Sequence, residues 1–135
     1  MPPDAALEAR RWFLKARNDL HAGQAVLAVD PPLIEDALFH AQQASEKAMK
    51  GFLVWHERPF RRIHDLREIG GAVLAIDASV ESLLKRAVSL SPFAWVFRYP
   101  IEMGEPTLEE AREALALARE VYETILARLP EEVKP

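Results

Sequence analysis

The chain contains no cysteine. Disulfides and thiolate-held metals are therefore excluded, and the composition fits a reducing cytosol. It has no run of about eighteen apolar residues, the minimum for a membrane-crossing helix. Its opening Met1-Pro2-Pro3-Asp4 shows neither the basic nor the apolar region of a signal peptide. The expectation is a cytoplasmic protein with no membrane partner. Phosphate-cradling glycine motifs, a serine nucleophile elbow and an HExxH zinc motif are all missing, and Gly70-Gly71 stands too isolated to cradle a phosphate. No cofactor is expected. An excess of positive charge is also lacking: the net charge is −4 and the pI about 5.6, the reverse of a protein that coats duplex nucleic acid. Finally, no segment alternates with period two and none carries a hairpin turn signal, which leaves strands without a sequence basis.

What is present is a chain of 135 residues, 50% apolar and 28% charged, which reads as one globular domain over residues 1–135. Ala9, Phe13, Ala16, Leu20, Gly23 and Leu27 recur at spacings of four and three. This predicts a first helix from Asp4 to about Val29, ended by Asp30-Pro31-Pro32. A second helix is predicted from about Leu33 to Glu57, with Ile34, Leu38, Ala41, Ser45, Ala48, Phe52 and Trp55 inward; the short connection implies antiparallel packing. Arg58-Pro59 breaks it. Asp65 is placed to cap a short helix that fades at Gly70-Gly71 or continues to Ile76, and a further helix is expected from Ser79 to Leu90. Ser91-Pro92 opens a turn, or a short helix, bearing Phe93, Trp95 and Phe97, which suit a core or a dimer face. Thr107, with Glu110 three residues on, marks the start of a last helix whose stripe runs through Leu108, Ala111, Leu115, Ala118, Tyr122, Ile125 and Leu129 to Pro130. The fold class is all-α, an up-and-down helical bundle like a four-helix bundle with additional short helices.

Charge is unevenly spread. From His56 to Arg67 there are four arginines, at 58, 61, 62 and 67, and two histidines against Glu57 and Asp65, whereas nine glutamates oppose three arginines between Glu102 and Glu132. A local basic patch on an acidic protein can draw in a phosphate. On the second helix His40, Gln43, Lys47 and Lys50 share one face. Such a row is either a surface for an anionic ligand or a set of structural contacts. In the second case Lys50 would pair with Glu46 at i,i+4 and Lys47 would reach Asp19 on the first helix. His64 suits an acid–base group or phosphate contact, or an anchor for its loop; Asp65 suits a ligand contact or only a cap. Arg98 suits phosphate through its guanidinium fork, or a pair with Glu102. His56 and His64 without carboxylates at ligand spacing are thin support for zinc.

Four blocks in order are Asp19-Leu20, Gln43-Ala44-Ser45-Glu46-Lys47-Ala48-Met49-Lys50, His64-Asp65-Leu66 and Arg98-Tyr99-Pro100. They resemble the prokaryotic HEPN domains, which carry Asp-Leu early, Gln-Ala-x-Glu-Lys-x-x-Lys on the second helix, His-Asp-Leu after it and Arg-Tyr-Pro late. The resemblance covers about Ala9 to Leu129. It implies an up-and-down bundle, often a homodimer, that binds nucleotide or RNA phosphate. It also implies a small nucleotidyltransferase protein as partner, in some cases as a toxin–antitoxin pair. The ligand-binding candidates are Lys47, Lys50, His64, Asp65 and Arg98, with Arg61 and Arg62 steering anions; Asp19, Glu46 and Tyr99 are structural. Many HEPN proteins are metal-independent ribonucleases with an arginine, four to six residues and a histidine near the start of a late helix. Here no histidine follows Arg98 before the last helix; Arg58 and His64 have five residues between them but lie in the loop after the second helix. A ribonuclease using His64 with Arg58 or Arg98 is therefore the alternative to a binding module, and a dimerisation module without ligand is the third reading.

Overall fold

The computed structural model describes residues 3–96 and 104–135. Five α-helices, α1 (Pro3–Ala28), α2 (Ile34–Trp55), α3 (Leu66–Ile76), α4 (Glu81–Ala87) and α5 (Leu108–Leu126), carry the fold, and no strand occurs among the described residues. The chain is all-α, as the periodicities require. Phe97, Arg98, Tyr99, Pro100 and Glu102 lie outside the described residues.

Each boundary has a local cause. Asp4 lies inside the first turn of α1, where a carboxylate favours the positive end of the helix dipole. The Asp65 side chain accepts from the Arg67 backbone N–H at 2.9 Å and so caps α3. The buried Ser91 hydroxyl accepts from the Leu66 N–H at 2.9 Å, satisfying a second free donor of the same helix end. Thr107 accepts from Glu110 N–H at 3.1 Å at the start of α5. The end of α2 is a Schellman turn: Glu57 N–H donates to the Val54 carbonyl and Arg58 N–H to the Leu53 carbonyl, with Glu57 itself at φ 55°. That left-handed residue sends the chain out of α2 into the basic loop. The helix expected over 79–90 divides into a 3₁₀ turn (Ala78–Val80), the short α4 and a second 3₁₀ stretch (Val88–Ala94) that includes Pro92. After α5 a last 3₁₀ turn tucks Val133 into the core.

The helices pack antiparallel in sequence neighbours. Residues 12 and 13 of α1 meet Gly51 of α2, whereas Asp19 meets His40 and Lys47. Likewise Phe13 stacks edge-on to Tyr122 of α5, and Gly23 faces Leu115. Close approach of α1 and α2 requires Gly51, where a β-carbon would lie 2.7 Å from Phe13 Cε2. The core runs through Phe13, Leu20, Leu38, Met49, Phe52, Leu53, Leu84 and Ile125. The α3–α4 segment packs on α2 and touches α5, occupying the place of a fourth helix. From Ala37 to Trp55 no residue of α2 is exposed, and the polar residues of that stretch must find partners inside the fold.

Candidate functional site

Because α2 is enclosed, the row His40, Gln43, Lys47, Lys50 faces α1 and the 58–64 loop rather than open solvent. Two carboxylates organise it. Asp19 on α1 accepts from Lys47 Nζ at 2.6 Å and from His40 Nδ1 at 2.8 Å. Glu46 on α2, 3% exposed, takes Lys50 Nζ on Oε2 at 3.0 Å. Its other oxygen, Oε1, accepts from Gln42 Nε2 at 3.0 Å and from His64 Nδ1 at 2.7 Å. Gln42 Nε2 also donates to the His64 carbonyl at 3.2 Å, and Gln43 donates to Gln42 at 2.7 Å. No buried side-chain polar atom among the described residues is left without a partner. The structural contacts anticipated for Lys47 with Asp19 and for Lys50 with Glu46 are present.

Lys50 is 7% exposed on its side chain and sits between two rings, 5.7 Å from the Trp12 centroid and 5.5 Å from that of Phe60. A buried ammonium is stable only when its charge is compensated. Here a carboxylate and two aromatic faces do so. Phe60 also meets Trp12 edge-on, which ties the basic loop to α1. Nothing in the sequence pointed to this aromatic cage, since Trp12 and Phe60 are 48 positions apart and neither belongs to a polar motif.

His64 is the exposed member of the Glu46 network, with its side chain 53% exposed. An ionised carboxylate accepts and cannot donate, so the Glu46 contact puts a proton on Nδ1 and leaves Nε2 facing outward. This is the arrangement of a carboxylate that orients an imidazole for contact with a ligand or a proton. The loop around it is cationic. Arg58 and Arg62 are exposed, and their guanidinium groups have no hydrogen-bond or ion-pair partner among the described residues. Arg61 is instead committed to Glu68, with Nε 3.0 Å from Oε2. Asp65 caps α3 through one oxygen and remains exposed. His56, which could have faced His64, packs on the Phe52 ring with centroids 4.5 Å apart. Burial, reinforced by the Arg58 charge, pulls its imidazole below the ordinary histidine range. Among the described residues no group of acidic or histidine side chains is placed to hold a metal ion, and no helix is long and apolar enough to cross a membrane.

The structure therefore brings Glu46, Lys50 and His64 together, with Arg58, Arg61, Arg62 and Asp65 in the adjoining loop. Lys47 belongs to the separate Asp19 cluster. Neither the curated proteins nor the solved structures compared with the chain match it. A family model for the HEPN domain matches residues 9–129, which takes in α1 through α5 and both ionic clusters. With nearly its whole length covered by that model, the chain belongs to the HEPN domain family.

Proposed function

We propose that the chain binds a nucleotide or RNA phosphate on the basic loop between α2 and α3. The Nε2–H of the imidazolium form of His64 and the free guanidinium groups of Arg58 and Arg62 donate to the phosphate oxygens, and Arg61 adds to the field that steers anions. The observation that carries this reading is the buried Glu46 carboxylate holding His64 by Nδ1, because it fixes an exposed ring with its second nitrogen outward. Lys47 and Lys50 act behind the site: each ammonium is committed to a carboxylate, and a phosphate would have to displace that carboxylate to reach it. Asp65 positions the loop by capping α3. Arg98 enters through the Arg98-Tyr99-Pro100 block alone. Homodimer formation and pairing with a small nucleotidyltransferase protein, as a toxin–antitoxin system, complete the proposal and rest on the family resemblance.

The test is calorimetric titration of the protein with a mononucleotide panel and a short single-stranded RNA, at low and moderate salt. Binding that weakens with salt and falls at least about tenfold in Arg62→Ala and His64→Ala supports the reading. Equal affinity in both variants contradicts it. A second reading draws on the same Glu46–His64 pair: a metal-independent ribonuclease in which Nε2 takes the proton of a ribose 2′-hydroxyl as its oxygen attacks phosphorus and the 5′-oxygen leaves. RNA ending in 2′,3′-cyclic phosphate, absent with His64→Ala, would select it.

A further inference from the structure

Between α3 and α4 runs a groove of about 420 Å³, within the range of small-ligand sites. Leu74, Leu84 and Val88 line it together with Gly70 and Gly71. The two glycines are the informative part. Both lie inside a helix, where glycine is a poorer choice than alanine. Neither has a positive φ, so the backbone does not demand them. Nor does packing. A β-carbon on Gly71 would meet nothing within 4 Å, and one on Gly70 would make ordinary contact with Leu84 Cδ1 at 3.8 Å. The contrast is Gly51, where a β-carbon would collide with Phe13. A β-carbon on Gly70 would point to the buried Leu84 and Met49, so that glycine lets α3 sit close to the core, whereas Gly71 serves one visible purpose: it leaves bare backbone as a wall of the groove.

The geometry points to this groove as the slot for the base of a nucleotide whose phosphate lies on the 58–65 loop. The inference rests on the phosphate-binding reading above and adds the part of the ligand it leaves open. Flat backbone beside aliphatic side chains accepts the face of a planar ring, and its shape excludes no particular base. The groove begins at Leu66, two residues beyond His64, and Gly71 stands five residues further on. Five residues of helix rise roughly 7.5 Å, a span one mononucleotide bridges. The rim carries the matching charge. Arg67 is exposed and its guanidinium has no partner among the described residues, while Lys85 stands opposite, paired with Glu81 at 2.8 Å. An anionic ligand therefore meets cations at both the loop and the rim.

The experiment compares AMP with ribose 5-phosphate, which keeps the phosphate and sugar but lacks the base, by calorimetry on the full chain. The wild-type protein should bind AMP at least about tenfold tighter. Gly71→Leu fills the slot and should abolish that preference while leaving ribose 5-phosphate affinity unchanged. Gly71→Ala, the milder variant, should weaken AMP with a thermal midpoint no lower than wild type. If both variants bind AMP as wild type does while Arg62→Ala does not, the groove is overturned and the loop reading stands. If Gly71→Leu loses AMP but Arg62→Ala and His64→Ala keep it, the groove stands and the loop reading fails. No AMP binding by the wild-type protein overturns both.

Discussion

Removing the Glu46 carboxylate should be the most damaging single polar change in this protein. Glu46 is 3% exposed and serves three donors at once: Lys50, Gln42 and His64. Glu46→Gln keeps the shape but removes the charge. Lys50 would then face the Trp12 and Phe60 rings with no anion beside it. Stripping one partner from a buried ion pair costs about 3–5 kcal/mol. Against a total stability of about 5–15 kcal/mol for a native domain, that is a large share. Lys50→Met should cost less, since Glu46 retains Gln42 and His64 and a thioether packs well between two rings. The double variant should then be more stable than the sum of the singles predicts, by at least about 2 kcal/mol, because the orphaned charge is gone. Urea unfolding followed by circular dichroism measures all three. Single-variant losses that simply add, within about 0.5 kcal/mol, would refute the claim that Glu46 and Lys50 form a desolvated pair.

Two further outcomes follow from the turn after α2 and from the burial of His56. Glu57→Gly should stabilise by about 1 kcal/mol and raise the melting temperature by roughly 3–5 °C, because Glu57 occupies the left-handed position of the α2 Schellman turn, where a β-carbon is strained. A lower melting temperature would show that the strain is absent. The melting temperature should also fall as pH drops through 6.5: His56 in the folded chain titrates below its ordinary value, so the unfolded chain takes up the proton first. His56→Gln should flatten that part of the pH profile, and an unchanged slope would contradict the assignment.

The long helices were legible because their apolar residues repeat at three and four over many turns, a pattern few other structures share. The segment after Gly71 was less so. Short helices carry too few repeats to fix their ends, and a helix expected over 79–90 resolved into α4 between two 3₁₀ stretches. For the site, the local pair Lys50–Glu46 and the interhelical pair Lys47–Asp19 could be read from spacing and antiparallel packing. The rest could not. His64 lies 18 residues beyond Glu46, across a loop whose path is set by the left-handed turn at Glu57 and by Phe60 docking on Trp12. A polar row at helical spacing looks alike whether it faces water or a buried seam. Only the enclosure of α2 by α1, α3 and α5 decides between them.

Phosphate binding on the 58–65 loop requires His64 to be held by Nδ1 with Nε2 turned to the ligand. Nitrogen-15 NMR of the histidine rings at alkaline and neutral pH, with His64 assigned by the His64→Gln variant, observes this directly. The neutral ring should carry its proton on Nδ1 at alkaline pH, and at neutral pH the Nε2 resonance should move toward its protonated position as AMP is added, because only an Nε2–H donates to a phosphate oxygen. A neutral ring with its proton on Nε2 at alkaline pH, or a ring unmoved at neutral pH and saturating nucleotide, would contradict it.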